Sequence, residues 1–269
     1  MSFGKRKLTV HPSWYPVTLQ KKESISEDTR RYTFKFTTDV KKLGLETCQH
    51  LQMGFHMKDK MLIRSYTPTR PIHGADTEDG TFDLVVKTYF PTNDQPGGAL
   101  SNLLDCMEEG EEVEVRGPTG DIQYLGNGKF NIHDEERHFE KVTLILGGSG
   151  ITPGYQLIAR VMGNKDDKTQ IHVIDANKDE SAILLREELE KFAREHGEQC
   201  QITNVLSHPG DDWKGEKGHV NEEIIKKYGF PPSDKSVALL CGPPAMIQKA
   251  ALPALSDWGY EEGKNMFGF

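Results

Sequence analysis

A glycine-rich segment at residues 147–153, with the sequence Gly-Gly-Ser-Gly-Ile-Thr-Pro, carries the strongest chemical signal in this chain. It follows the apolar run 142–146, which predicts a buried strand, and it precedes 155–162, where apolar residues recur at helical spacing. A strand that enters a helix through glycines directs backbone N–H groups and the positive end of the helix dipole at one point. The segment therefore predicts a phosphate site, with a simple packing turn as the alternative. It lacks the Lys-Ser/Thr pair of a P-loop, and Pro153 replaces the third glycine of the dinucleotide fingerprint.

A second set of chemically capable side chains lies in the consecutive residues Arg64, Ser65, Tyr66 and Thr67. In a strand, alternation directs Arg64 and Tyr66 to one face, and Ser65 and Thr67 to the other face or to the strand end. Arg can bind phosphate through paired hydrogen bonds, and Tyr can stack or bind a polyol chain. Together with a Thr that donates to a ring nitrogen, these groups suit a planar ring system with a pyrophosphate tail. A surface strand with mixed polar side chains is the alternative.

Other positions add to these two signals. Lys87 interrupts an apolar strand and needs an anionic or polar partner if it is buried, although alternation also permits a solvated position. Gly97 and Gly98 open a predicted helix whose N-terminus suits an anion. Gly242 allows close backbone approach after a predicted strand. Cys241, just before it, fits the usual role of an unpaired cysteine, which is that of a small buried side chain.

The elements that must position these residues differ between the two halves of the chain. Short strands broken by turns predict a small antiparallel barrel in the first half, with one helix that begins near Gly98. The second half alternates strand and helix, which predicts a doubly wound parallel sheet with ligands at the carboxyl ends of its strands. The polar, glycine-containing stretch between them predicts a linker, in which Gly126-Asn127-Gly128 is suited to the turn of a short hairpin. The predicted division is therefore 1–125 for the barrel, 126–140 for the linker and 141–269 for the α/β domain.

The expected elements have the following bounds. The barrel strands are 17–21, 31–37, 49–57, 63–67, 82–89 and 112–116. The parallel strands are 142–146, 171–175, 201–206 and 237–241, and the helices that follow them are 155–162, 182–196, 222–228 and 245–255.

Composition and charge restrict the class of protein. With 269 residues the chain has room for two hydrophobic cores, and its net charge of −8 makes nucleic acid an unexpected partner. No apolar run reaches the length of a membrane span, and no apolar region follows the basic start to form a secretory signal. Cys48, Cys106, Cys200 and Cys241 lack the spacing of a disulfide framework or a zinc site. We therefore expect a cytoplasmic protein without a metal and without a membrane partner.

The motifs, taken in order, resemble those of the cytochrome b5 reductase family of flavoenzymes. Within that family, the sequence is most similar to the flavin-containing C-terminal part of eukaryotic assimilatory nitrate reductases, particularly the fungal type. The resemblance runs from Trp14 to Phe269. The motifs are Arg64-Ser65-Tyr66-Thr67, Val86-Lys87-Thr88-Tyr89, Pro96-Gly97-Gly98, residues 147–153, Ile183-Leu184-Leu185-Arg186 and Cys241-Gly242-Pro243-Pro244.

This resemblance implies a ferredoxin reductase-like architecture, in which an FAD-binding antiparallel β-barrel precedes a nicotinamide-nucleotide domain. Hydride would pass from NADPH or NADH to FAD, and single electrons would pass on to a cytochrome b5-type haem domain, expected in the same parent chain. The implied catalytic positions are Thr67 near the flavin N5, Lys87, and Cys241 beside the nicotinamide without a covalent bond. A free-standing cytochrome b5 reductase is one alternative. A non-catalytic nucleotide-binding module is an alternative of another class.

The resemblance also assigns cofactor-binding residues. Those implied for FAD are Arg64, Ser65, Tyr66, Thr67, Val85, Val86, Lys87, Tyr89, Phe90, Gly97, Gly98, Ala99, Leu100, Ser101 and Thr152. Those implied for NAD(P)H are Gly148, Pro153, Lys178, Ser181, Arg186, Cys241, Gly242, Pro243 and Met246.

The sequence departs from the family pattern at a few positions. Cys48 replaces the usual glycine, and Ala99-Leu100 stands where a basic residue and Met are common. Ala182 stands where NADH-preferring relatives carry Asp, which would repel a 2′-phosphate. Because alanine removes that repulsion, and Lys178, Ser181 or Arg186 would then meet the phosphate, the resemblance implies that NADPH is at least tolerated.

Overall fold

The computed structural model describes residues 13–269 except 59, 77, 94 and 95. The first twelve residues, which contain the basic start and the beginning of the predicted barrel domain, lie outside the described residues. The described chain divides into two compact units, of which the first ends at Gly120 and the second begins at Asp121. Each unit has its own hydrophobic core and its own six-stranded sheet.

The first unit is the antiparallel sheet domain that the short strands predict. Its sheet has the order β4-β3-β6-β1-β2-β5, and the segment after β4 approaches β5 through the backbone pair Arg70 and Asp83, so the sheet is barrel-like. Aromatic residues fill the core because alternate positions of each strand point inward; Phe34 stacks on Phe82 at 5.6 Å. The elements are β1 (Tyr15–Ser24), β2 (Thr29–Phe36), β3 (His50–Met57), β4 (Lys60–Tyr66), β5 (Thr81–Lys87), α1 (Ala99–Cys106) and β6 (Glu112–Thr119).

The predicted linker is not a connector, because most of it is a small sheet of the second unit. Residues 126–140 contribute to β7 (Ile122–Gly126), β8 (Lys129–Ile132) and β9 (Glu135–His138), which pair as an antiparallel three-stranded sheet. Phe130 and Ile132 are fully buried, so the polar Lys129 and Asn131 are the outer positions of a strand. The boundary accordingly falls at residue 120 and not at 125.

The rest of the second unit is the predicted parallel sheet with helices on both faces. Its order is β13-β12-β11-β10-β14-β15, and every pair is parallel. The strands are β10 (Lys141–Gly147), β11 (Gln170–Asn177), β12 (Cys200–Leu206), β13 (Glu216–Lys217), β14 (Ser236–Cys241) and β15 (Met266–Gly268). The helices are α2 (Ile151–Met162), α3 (Arg186–His196), α4 (Glu222–Tyr228), α5 (Pro244–Met246) and α6 (Leu252–Trp258), with a π-helical segment (Ile247–Ala251) between the last two.

Details of the second unit differ from the predicted bounds. The helix expected over 182–196 begins at Arg186, because Glu180–Ala182 forms a separate 3₁₀ turn and Leu185 has a positive φ of 55°. The two edge strands β13 and β15 were not predicted, since runs of two and three residues give no periodic signal. Among the helices of the described residues, none combines the length and the apolar character that crossing a bilayer requires.

Candidate functional site

The predicted phosphate-binding strand end lies at the edge of the first sheet. Arg64 and Tyr66 of β4 pair with Met53 and Leu51 of β3, two core residues, so all four side chains occupy the inner face of the sheet. Tyr66 packs against the core, and burial raises its pKa, which keeps the phenol protonated. Arg64 is exposed on the same face, although its guanidinium donates to the Ile63 carbonyl at 2.7 Å. The inner face at this edge therefore presents a cation and an aromatic ring side by side, as alternation predicts.

The two remaining residues of this motif differ in exposure. Ser65 is exposed and lies on the opposite face of β4 from Arg64, while Thr67 is half-buried just beyond the end of the strand. Thr67 is therefore the next residue along the chain from Tyr66, whose ring packs on the inner face. This position suits the predicted role of Thr67 as a hydrogen-bond donor to a ring system that Tyr66 contacts.

The helix α1 begins at a turn that only glycine can form. Gly97 has a φ of +76°, and a Cβ there would lie 2.6 Å from the Tyr89 carbonyl oxygen. Gly98 N donates to the same oxygen at 2.8 Å, and Tyr89 N donates to the Ser101 hydroxyl at 3.3 Å. Gly98 provides no side-chain cap, so the N–H groups at Ala99 and Leu100 are available to an anion. This cradle fits the pyrophosphate of FAD without the basic residue that the family commonly has there.

The rings beside this cradle and the strand before it have different exposures. Tyr89 and Phe90 are half exposed, at 50% and 45%. Val85 and Val86 are buried in β5. Two hydroxyl groups in this region, Tyr32 OH and Thr88 Oγ1, are buried.

Lys87 has a specific anionic partner. Its ammonium lies 2.9 Å from Asp28 Oδ2, and the hydroxyls of Ser26 and Thr29 donate to the other carboxylate oxygen at 3.1 and 2.9 Å. Although burial opposes it, the hydrogen bond from Lys87 lowers the pKa of Asp28 and keeps it ionised. The ammonium that was predicted to be catalytic is therefore held in an ion pair. Sequence reasoning missed Asp28, which lies in a turn far from Lys87 in the chain.

In the second unit, the glycine-rich segment and the end of β14 meet backbone to backbone. A Cβ on Gly150 would lie 2.5 Å from the Cys241 carbonyl oxygen, and one on Gly242 would lie 3.0 Å from Gly147 N. Gly148 has a φ of +54° and open space around it. Strands β10 and β14 are neighbours, so their carboxyl-terminal loops build one concave surface that a ligand backbone or phosphate can approach.

Predicted nucleotide-binding residues converge on this surface. A Cβ on Gly147 would meet Pro243 Cδ at 2.8 Å and Met246 Cε at 3.0 Å, so both side chains border the loop. The Thr152 hydroxyl donates to the Ser149 carbonyl at 3.2 Å, and Pro153 occupies the first turn of α2, where its missing N–H is not needed. The structure thus brings together Gly148, Pro153, Cys241, Gly242, Pro243 and Met246 of the predicted nucleotide site. Thr152, which the resemblance assigns to FAD, lies at the same loop.

The thiol of Cys241 is protonated at neutral pH, because burial raises its pKa to about 11. A thiolate, and not a thiol, is the reactive nucleophile of cysteine chemistry. Cys241 is therefore suited to a contact role beside a ring and not to covalent catalysis, as the resemblance implies.

Two of the three residues predicted to bind a 2′-phosphate, Ser181 and Arg186, instead bind carboxylates of this chain. The Ser181 hydroxyl donates to Asp179 at 2.6 Å, and Arg186 forms ion pairs with Glu180 at 3.0 Å and Glu190 at 2.8 Å. Lys178 is exposed at the start of the turn. Sequence reasoning named the cations of this turn and overlooked its acidic residues, of which Asp179 accepts a hydrogen bond from Ala182 N at 3.2 Å.

Comparison with known proteins finds two family models that match successive parts of the chain. Residues 16–124 match the family model of the oxidoreductase FAD-binding domain, and residues 144–251 match that of the oxidoreductase NAD-binding domain. The solved cytochrome b5 reductase domain of Ulva prolifera nitrate reductase superposes with a TM-score of 0.92 and 32% identity, over 98% of this chain and 100% of that one.

Curated relatives include both large and small proteins. Nitrate reductase [NADPH] of Aspergillus niger is 38% identical over 93% of this chain and 28% of its own length. NADH-cytochrome b5 reductase 2 of Danio rerio is 38% identical over 95% of this chain and 84% of its own length. The chain thus spans little more than a quarter of that nitrate reductase and most of the smaller relative.

Proposed function

Because this chain belongs to the cytochrome b5 reductase family and is an FAD- and NAD(P)H-dependent oxidoreductase, we propose that its final electron acceptor is a cytochrome b5-type haem domain. A bound nicotinamide would give hydride to bound FAD as an electron pair, and the haem acceptor would take these electrons one at a time. FAD, when bound, supplies this conversion from two-electron to one-electron transfer. The chain itself supplies binding and orientation.

The observation that carries the proposal is the presence of a glycine-built cradle in each unit. In the first unit, Arg64 and the N-terminus of α1 would hold the FAD pyrophosphate, while Tyr66 would contact the flavin and its ribityl chain. In the second unit, the surface between the Gly150 loop and Gly242 would hold the nicotinamide nucleotide. None of these roles needs a general acid or base, because hydride transfer requires alignment and exclusion of water.

We propose further that this chain is the reductase part of a nitrate reductase, in which a haem domain precedes it and nitrate is reduced elsewhere. The likeness to nitrate reductases over more than nine-tenths of this chain supports this proposal. Stopped-flow mixing of the NADH-reduced protein with an isolated cytochrome b5 haem domain tests the acceptor. Haem reduction at a rate that saturates with haem-domain concentration is expected. Reduction of small-molecule oxidants alone would contradict the proposal.

A free-standing cytochrome b5 reductase is the second candidate, favoured by the 84% coverage of the Danio rerio relative. The two candidates differ in the length of the native polypeptide. For the free-standing enzyme, an antibody against this chain would detect in a native extract a band close to the size of the Danio rerio relative, of whose length the match covers 84%. For a nitrate reductase, it would detect a much larger band that co-purifies with haem absorbance.

A cytoplasmic location is part of the same proposal. The Cys241 thiol must stay reduced to border a nicotinamide, and all four cysteines are thiols. A reducing compartment maintains that state. Immunolocalisation of the native protein tests this location, and a signal confined to an oxidising compartment would contradict it.

A further inference from the structure

A carboxyl group lies inside the second unit, close to the carboxyl ends of its strands. Strand pairing places Cys241 of β14, Leu146 of β10, Asp175 of β11 and Asn204 of β12 side by side in one row. Residues paired in this way point to the same face of a parallel sheet. This face is the one that α2 covers, because the side chain of Leu146 packs directly on Gly154.

Asp175 is fully buried, and only one of its two carboxylate oxygens accepts a hydrogen bond from a described residue. Its Oδ2 accepts a hydrogen bond from Asn177 Nδ2 at 2.8 Å. Its Oδ1 has no partner among the described residues, and neither have the side-chain oxygens of Asn177 and Asn204. Buried acceptors without donors are unfavourable, and an ionised carboxylate would be the most unfavourable of the three. A proton on Asp175 Oδ1 turns one of these acceptors into a donor, with the Asn204 oxygen as its cross-strand neighbour.

No charged neighbour in the described part of the chain offsets the unfavourable effect of burial on the ionised form of Asp175. Burial raises the pKa of Asp175 to about 7, opposed only by the Asn177 hydrogen bond. Beside it in the row, Leu146 and Asn204 are uncharged, and the thiol of Cys241 is protonated. None of the half-buried ionisable side chains on the covering helices contributes to the shift. These are Tyr155 and Arg160 on α2, and Arg186, Glu188 and His196 on α3.

We propose that Asp175 is a buried proton-binding site that couples protonation to binding of the nucleotide pyrophosphate at the glycine loop. The inference rests on the proposed nucleotide site. Leu146, the neighbour of Asp175 in the row, leads directly into Gly147 and the loop. Strand spacing and rise place the carboxyl group roughly 10 Å from a phosphate bound there. An ionised carboxylate at that distance weakens binding of a phosphate by about tenfold, whereas a protonated one does not.

Thermodynamic linkage makes this coupling measurable either as a pH dependence of nucleotide affinity or as proton uptake on nucleotide binding. If protonation favours the nucleotide, then binding of the nucleotide must draw a proton onto Asp175 near neutral pH. NAD⁺ is the suitable probe, because it does not reduce the flavin and lacks the 2′-phosphate of NADP⁺, a monoester with a second pKa of about 6.

Isothermal titration calorimetry of the FAD-loaded protein with NAD⁺, in buffers of different ionisation enthalpy, tests the coupling. Near neutral pH we expect uptake of a fraction of one proton per nucleotide bound, and a dissociation constant that rises about tenfold between about pH 6 and about pH 9. Asp175→Asn should abolish both effects. Asp166→Asn, which changes an exposed carboxylate of the same unit, should preserve them. Wild-type binding without proton uptake, or the same uptake in Asp175→Asn, would overturn the proposal.

A second measurement separates this inference from the proposed function. The folded-state pKa of Asp175 is raised, so the wild type should lose stability relative to Asp175→Asn as the pH rises from about 4 to about 7, and no further above that. Absence of NAD⁺ binding at every pH would remove the nucleotide site and with it the coupling, while the buried proton would still be detected by this pH dependence. NAD⁺ binding with no dependence on pH would overturn the coupling alone. If Asp175→Asn does not fold, proton uptake by the wild type decides.

Discussion

Arg64 is the exposed cation on the inner face of the first sheet, next to the half-buried ring of Tyr66. A charge-assisted hydrogen bond from such a guanidinium to pyrophosphate contributes about 1.5–3 kcal/mol. Arg64→Ala should therefore weaken FAD binding by roughly 10- to 100-fold, measured by quenching of flavin fluorescence. Lys35→Ala, which removes an exposed cation from β2, is the matched control. Equal FAD affinity in the two variants would remove Arg64 from the cofactor site.

Ala182 lies at the end of a turn that already carries the carboxylates of Asp179 and Glu180. A third carboxylate there would add to the repulsion of a 2′-phosphate, while NADH lacks that group. Ala182→Asp should lower kcat/KM for NADPH relative to NADH by about tenfold, with Ala182→Asn as the uncharged control of similar shape. An unchanged ratio in steady-state assays would show that this side chain does not face the adenosine ribose.

At the scale of elements, the loops that follow β10 and β14 can approach each other closely only because glycines without side chains lie where they meet. Gly150 lies so close to Cys241 that an added Cβ must displace backbone atoms. Gly150→Ala should destabilise the protein by about 1–3 kcal/mol and raise KM for NADH, measured by urea unfolding and initial rates. Gly210→Ala is the control, since nothing lies within 4 Å of a Cβ there. Similar effects of the two substitutions would argue against a contact between the loops.

The small sheet of β7 to β9 is fixed to the rest of the second unit by a buried polar network. Tyr124 OH donates to Asp167 at 2.5 Å, and Asp167 also accepts from Thr169 Oγ1 at 2.7 Å and from Asn127 N at 2.9 Å. Tyr124→Phe leaves the carboxylate with one donor fewer and should lower the free energy of unfolding by about 1–3 kcal/mol. Tyr228→Phe removes a hydroxyl that is paired with Glu216 at a more exposed site, and it should have a smaller effect.

At the scale of the whole molecule, the sequence predicts the two sheet types because each leaves a periodic signal. The alternation of β10, α2 and β11 predicts a parallel sheet, and the short strands around Phe34 and Phe82 predict an antiparallel one. The hairpin turn at Gly126-Asn127-Gly128 is confirmed by the pairing of β7 with β8. The extent of the sheet over 129–138 was missed because its exposed positions are polar enough to resemble a linker. Hydrophobic periodicity therefore identifies a strand only where its apolar positions outnumber its polar ones.

Contacts between distant residues could not be predicted in the same way. Asp28 and Lys87 meet because β2 pairs with β5, and nothing local to either residue indicates the other. The glycine loops were found because their composition is itself the constraint. At Cys48 the backbone φ is +81°, which favours the glycine that the family usually has at this position. This chain has a cysteine there, so its own composition does not indicate the unusual backbone conformation.

One polypeptide that binds both FAD and a reduced nicotinamide nucleotide should pass hydride between them. Anaerobic titration of the FAD-loaded protein with NADH, followed by flavin absorbance, measures this transfer. We expect loss of the yellow absorbance in proportion to added NADH, complete at one nucleotide per flavin. A correctly folded protein that cannot bind FAD, or one whose flavin stays oxidised in excess NADH, would contradict it.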